Sequence, residues 1–234
     1  MSYADLTFNS KNVLKRFSHQ RRFDTAIKLI APNPGETILD YGTGDGHMMA
    51  LLKETCSDLS IVGYDPFPDE KIRDVCLRHP DIIFFQDRKF LNNSVFDKVC
   101  CFETLEHFEY PEVQDHVDFL CRSTRPNGKI FVSVPVEIGP PSIVKNLVRM
   151  KIGLSHNASS IGNILRCAFY RPGAVKRVKE DGGGYIQSHL GFNFRKIPEY
   201  FRECCVSLEY CEFSPFNFMG SLTGSQVFFC FRKS

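Results

Sequence analysis

Residues 36–46 read Glu36-Thr-Ile-Leu-Asp40-Tyr-Gly42-Thr-Gly44-Asp-Gly46. Thr37 to Asp40 is a short apolar run ending in an acid, which predicts a buried strand. The alternate glycines that follow predict a tight turn whose backbone can approach a ligand at the strand's carboxyl end, where open α/β sheets bind their ligands. A dinucleotide fingerprint needs G-x-G-x-x-G, but His47 stands at the last position, so that class is excluded. No G-x-x-x-x-G-K-[ST] string occurs either, which excludes the phosphate loop of nucleotide hydrolases.

Outward from this loop, helices and strands alternate. Residues 11–30 carry apolar positions at helical spacing, and Ala31-Pro-Asn-Pro-Gly35 ends them. His47–Glu54 reads as a helix, Ser60–Tyr64 as a strand and Glu70–Arg78 as a helix stopped by His79-Pro80. Strands follow at Ile82–Phe85 and Phe96–Phe102, then a helix at Glu112–Arg122 and a strand at Lys129–Val134. This rhythm predicts a Rossmann-like, doubly wound α/β sheet. After a gap of about fifty residues come a helix near Ile197–Cys205 and two strands, near Val206–Phe213 and Gln226–Phe231, that predict an antiparallel closing pair. The chain is read as one domain: an N-terminal helical segment (1–35), a cofactor core (36–135), a mostly helical lid insertion (136–190) and a C-terminal helix with a strand pair (191–234).

The acids define the ligand. Asp40 suits an ammonium group better than a pyrophosphate. Asp65, at the end of the second strand, stands where a carboxylate takes the hydroxyls of a ribose. An ammonium and a ribose without phosphates point to S-adenosylmethionine.

On these motifs the chain resembles the class I S-adenosylmethionine-dependent methyltransferases, over about residues 20–135. ETILDYGTGDG looks like that family's first motif and IVGYDP like its second. FDKVCCFETLEHF resembles the strand-four motif, and TRPNGKIFVSVP the segment that usually reads L-K-P-G-G before strand five. Tyr41, Arg125 and Asn127 are mild departures. The resemblance implies a seven-stranded sheet with the last strand antiparallel. It implies that Asp40, Gly42, Gly44 and Gly46, with Thr43 among them, line the methionine part of the cofactor. Asp65 would hold the ribose, Pro66 and Phe67 would flank the adenine, and Gln86 or Asp87 would meet its amino group. Phe102 would edge the reacting methyl.

Methyl transfer is an in-line displacement, so alignment supplies much of the rate. A hydroxyl acceptor also benefits from a base, and the candidates are Glu103, Glu106, His107 and His189. The absence of N-P-P-[YF] after strand four favours an oxygen over an amine. If helical, Glu103-x-x-Glu106-His107 puts three ligating groups on one side. That spacing resembles the metal motif of small-RNA 2′-O-methyltransferases, with His156 or His189 as the further histidine. The same string occurs widely in members without metal, where the histidine packs locally, and no metal is assigned.

Charge bears on the acceptor. Net charge is +2, which argues against nucleic acid, but residues 1–30 carry six Lys/Arg against two acids and residues 136–190 eight against three. Ile143–Arg149 reads as a basic amphipathic helix able to lie on a membrane or grip an anion, and Gly182–Gly184 as a hinge. His189-Leu-Gly-Phe192 resembles methyltransferases of bacterial cell-surface polysaccharide clusters. The expected acceptor is therefore small and anionic, or lipid- or nucleotide-linked, such as a sugar. Alternatives are a metal-assisted RNA 2′-O-methyltransferase and a cofactor-binding but inactive regulatory protein. Ten cysteines without a C-x-x-C pair, no signal segment and no long apolar run predict a reduced cytosolic protein, with peripheral contact at the inner membrane face as an option.

Overall fold

A computed structural model describes residues 13–139, 143, 160–169, 175, 177, 179, 186 and 188–234. Most of the lid insertion lies outside them, including the stretch after Ile143, His156 and the Gly182–Gly184 hinge.

Helix α1 (Val13–Ile30) leads into β1 (Thr37–Tyr41). There follow α2 (His47–Thr55), β2 (Ser60–Tyr64), α3 (Ile72–Arg78), β3 (Ile83–Phe85), β4 (Phe96–Phe102), α4 (Tyr110–Arg122) and β5 (Thr124–Pro135). The C-terminal part adds α5 (Ile161–Ala168), α6 (Ile197–Tyr200), β6 (Val206–Ser214) and β7 (Gln226–Lys233). The seven strands form one sheet in the order β3-β2-β1-β4-β5-β7-β6. The first five are parallel, and β7 is antiparallel to both β5 and β6. The predicted fold class is therefore the observed one.

Period-two alternation along the strands sorts the core into two layers. On one face Leu39, Val99 and Val132 meet Val113, Val117 and Leu120 of α4 and Ile197 of α6. On the other, Ile38, Cys100 and Phe131 meet Ala26 and Ile30 of α1, Met49 and Leu52 of α2, and Val75 of α3. Both faces of the parallel strands are covered, which is why β1 and β4 read as near-continuous apolar runs.

Buried charges at the bottom of the sheet are paired. Lys53 reaches the Ser57 and Leu59 carbonyls and Asp81, and Lys98 reaches Glu36 at 2.5 Å and the Ala31 carbonyl. Asn127 adopts φ +63°, a left-handed conformation that Asn tolerates, so its departure from the usual glycine costs little. Helix α4 opens with Pro111 in its first turn, and the Glu112 carboxylate accepts from the Glu109 N–H at 2.9 Å.

Of the lid, α5 packs through Ile164 and Cys167 onto Val175 and Leu190. No helix among the described residues is long and apolar enough to cross a membrane. All ten cysteines are free thiols.

Candidate active site

The carboxyl ends of β1, β2 and β4 converge on a cavity of about 590 Å³. That size suits a cofactor-sized ligand.

The β1–α2 loop forms one end. Gly42 has φ +83°, and a Cβ there would sit 2.2–2.9 Å from the Thr104 side chain, so β1 can approach the β4 turn only through glycine. Gly46 (φ +77°) opens α2, and a Cβ would press on Ile72 at 2.6 Å. Asp40 is buried and accepts from Thr43 Oγ1 at 2.7 Å. Burial, with smaller contributions from the Asp65 and Asp45 charges, pushes its carboxyl up to about 7 despite the Thr43 bond. Asp65 is fixed by the backbone: Oδ2 accepts from the Gly44 N–H at 2.9 Å and Oδ1 from the Phe67 N–H at 2.8 Å. Each oxygen keeps a further acceptor site for a ligand hydroxyl. Asp40, Asp45, Asp65 and Asp69 around a backbone cradle, beside the apolar surfaces of Phe23, Met48, Phe67 and Phe102, fit a cationic ribonucleoside such as S-adenosylmethionine.

The turn after β4 forms the other end. Glu103 adopts φ +48°, costly for a residue with a Cβ and characteristic of functional sites. Only Leu105–His107 is helical, as a single 3₁₀ turn. The condition under which Glu103, Glu106 and His107 would share one helix face is therefore not met, because Glu103 lies before the turn. Glu103 faces the cavity and pairs with Arg22 of α1 at 2.5 Å. His107 also lines the cavity, and its Nδ1 meets the Ile186 carbonyl at 2.8 Å. The carbonyl can only accept, so Nδ1 carries the proton and Nε2 the lone pair. Burial pushes the His107 pKa down, which keeps the ring neutral. The Ile186 N–H returns a bond to the His107 carbonyl at 2.7 Å, pinning the chain that carries His189. The His189 ring then lies edge-on to His107, with centroids 5.0 Å apart.

Glu106 lies behind this wall instead of lining the cavity. It is fully buried and neither carboxylate oxygen has a hydrogen-bond partner. Burial, then the Glu103 charge, raises its pKa. Arg177 is close, but it donates to the main-chain carbonyls of Glu106 and Phe108 and lies over the rings of Phe192 and Tyr110.

Of the sequence-predicted residues, the cavity brings together Asp40, Gly42, Thr43, Gly44, Asp65, Pro66, Phe67, Phe102, Glu103, His107 and His189. Gly46, Gln86, Asp87 and Glu106 are outside its lining. Gly46 is turned toward α3. Asp87 caps the 3₁₀ turn after β3, accepting from the Lys89 N–H at 3.0 Å, and Gln86 is exposed beside it. Sequence reasoning missed Arg22 and Phe23 of α1, His116 of α4, Ser133 of β5, and Gln226 and Phe228 of β7. Tyr41, a departure from the usual aliphatic residue, is hydrogen-bonded through its hydroxyl to His116 Nδ1 at 2.6 Å. His116 is pushed down to about 4 by burial and then by the Arg88 charge. Two cations of the basic 136–190 segment are engaged internally: Arg177 as above, and Lys179 with Glu112 at 2.5 Å.

Solved structures with the same fold include magnesium protoporphyrin IX methyltransferase (ChlM) from Synechocystis PCC 6803. It is 15% identical, has a TM-score of 0.60, and the match covers 96% of this chain and 89% of that one. 1,6-Didemethyltoxoflavin-N1-methyltransferase from Burkholderia thailandensis is 13% identical with a TM-score of 0.59, covering 99% and 85%. The methyltransferase domain of bacterial CtHen1-C is 17% identical with a TM-score of 0.59, covering 92% and 98%. None of the curated proteins matches the chain in sequence. The profile of the "Methyltransferase domain" family matches residues 15–165, more than half of the chain, and the chain belongs to that family as a class I S-adenosylmethionine-dependent methyltransferase.

Proposed function

We propose that the protein methylates a hydroxyl oxygen of a small acceptor, one that is anionic or linked to a lipid or nucleotide, such as a sugar. The observation that carries this reading is that one cavity joins the acid-rich cofactor end, at Asp40, Gly44 and Asp65, to an end rich in electron-pair donors, at Glu103, His107 and His189. S-adenosylmethionine, when bound, supplies an activated methyl on a sulfonium. The chain's own residues hold and align. Asp40 meets the ammonium, Asp65 the ribose hydroxyls, and Phe67 covers the base. Arg22 fixes Glu103, and the Ile186 carbonyl fixes the tautomer of His107, so an incoming hydroxyl meets lone pairs rather than competing acids. Gln226, whose Nε2 is spent on Ser133 at 2.6 Å, presents a buried carbonyl oxygen without a partner at the cavity wall. That oxygen suits a second hydroxyl of a polyol acceptor. The anionic character rests on the basic composition of residues 136–190, reduced by the engagement of Arg177 and Lys179.

Methyl transfer from labelled cofactor to a panel of sugar nucleotides, lipid-linked sugars and a short RNA duplex tests the reading. Transfer to a hydroxyl of a sugar acceptor supports it. Transfer to RNA alone, or to nitrogen alone, overturns it. Cofactor binding without any turnover would favour a regulatory role instead.

A further inference from the structure

Residues 215–225 join β6 to β7 and read Pro215-Phe-Asn-Phe-Met-Gly-Ser-Leu-Thr-Gly-Ser225, without a charge. Phe218 is 80% exposed, and Phe216, Met219 and Leu222 are each about half exposed. Phe17 of α1, also about half exposed, extends the patch. Its ring lies 6.4 Å from Phe216, which lies 6.2 Å from Phe218. Single exposed apolar residues are normal, but a contiguous group marks a binding surface. The backbone holds this group on display. The Ser225 N–H donates to the Ser214 carbonyl at 2.8 Å, the Gly224 N–H to the Gly220 carbonyl at 3.0 Å and the Phe213 N–H to the Asn217 side-chain oxygen at 2.9 Å.

The patch adjoins the cavity. Ser214 pairs with Gln226, which pairs with Pro135 at the end of β5 and lines the cavity wall. Helix α1 runs along the same edge: Thr25 donates to the Ser214 hydroxyl at 3.5 Å, and Arg22 and Phe23 line the cavity. Arg21 is exposed one turn from Phe17 on the same helical stripe. The sequence of α1 carries five Lys/Arg against Asp24 alone, and of these Arg22 is paired with Glu103.

We propose that the Phe216–Leu222 loop and α1 dock the protein on an anionic lipid bilayer. Phe218 and Leu222 enter the boundary between headgroups and acyl chains, and Arg21 meets the lipid phosphates. An uncharged apolar tip with a cationic flank complements hydrocarbon beneath anionic headgroups, the pairing that interfacial segments use. A chain docked by the rim of its cavity takes its acceptor from the membrane, so the substrate class is a hydroxyl-bearing lipid or a lipid-linked sugar. That choice of acceptor rests on the oxygen-acceptor reading above; the docking does not.

The test uses the full chain without cofactor. It is floated with vesicles of phosphatidylcholine mixed with phosphatidylglycerol, and with vesicles of phosphatidylcholine alone. Binding to the mixed vesicles is expected, weakening as salt is raised. Phe218→Ser should weaken it about tenfold or more, with Leu222→Ser as a second apolar probe, and Arg21→Gln about fivefold. The chain has no tryptophan, so Phe218→Trp places one reporter in the loop, and its emission should shift to the blue with mixed vesicles. Thermal melts verify that each variant is folded. No binding to mixed vesicles, equal binding by the parent and folded Phe218→Ser, or unshifted emission from bound Phe218→Trp overturns the proposal. Self-association of the parent that Phe218→Ser abolishes, without vesicle binding, overturns it in favour of a second copy of the chain. Vesicle binding with methyl transfer only to soluble acceptors upholds the docking and overturns the acceptor choice, so the two failures are distinguishable.

Discussion

Asp40 carries an unusual electrostatic load for the group we propose to meet the cofactor's ammonium. Burial holds its carboxyl up to about 7, while the unfolded chain ionises near the ordinary value of 3.8. The sign follows. Below the ordinary value neither state is charged and nothing is lost. As pH rises toward 7 the unfolded state ionises first, so stability falls, by up to about 4 kcal/mol at the plateau above 7. Asp40→Asn, which can still accept from Thr43, should therefore raise the melting temperature at pH 8 but not at pH 4. On the proposed reading, cofactor binding runs the other way, because the ammonium would meet the Asp40 carboxylate. Affinity for S-adenosylmethionine should drop as pH falls below about 7, approaching tenfold per unit, and calorimetry on Asp40→Asn should show that slope abolished. At this scale the shared cavity of Asp40, Gly44 and Asp65 was legible because the residues are local: one loop and the ends of two adjacent strands hold them. Arg22 and Gln226 were not, because they arrive from elements 81 and 93 residues from their partners Glu103 and Ser133.

Elements position the site through contacts between their ends. The β1–α2 loop closes against the turn after β4 because Gly42 leaves room for Thr104, and the Thr104 hydroxyl donates to the Phe102 carbonyl at 2.9 Å. Gly42→Ala adds both a left-handed strain and a Cβ inside van der Waals distance. It should cost about 3 kcal/mol or more, a melting shift of about 6 °C or more in a chain of this size. A melt within a degree of the parent would contradict this packing. Strand and helix order were legible from periodicity, because both faces of the sheet are covered and every core segment needs its apolar pattern. Whether Glu103–His107 is helical is left open by its spacing, because the chain must turn back over the sheet end, and Glu103 takes a positive φ to do so. That turn sends Glu103 into the cavity and Glu106 behind it.

At the scale of the molecule, three layers hold a cleft at the carboxyl edge of the parallel strands. The antiparallel β7, inserted beside β5, brings Gln226 and Phe228 to the wall of that cleft. The charge imbalance in the sequence is partly internal: Arg22, Lys53, Lys98 and Lys179 all satisfy carboxylates within the fold. Composition shows such charges but not their partners, and this is why the acceptor was less legible than the cofactor. The central claim is that Asp65, held by the Gly44 and Phe67 amides, anchors S-adenosylmethionine in the cleft. Calorimetric titration of the parent and Asp65→Ala with S-adenosylmethionine and S-adenosylhomocysteine tests it most directly. The account predicts stoichiometric binding of both ligands by the parent and at least a tenfold loss in a folded variant. Equal affinity in parent and variant would contradict it.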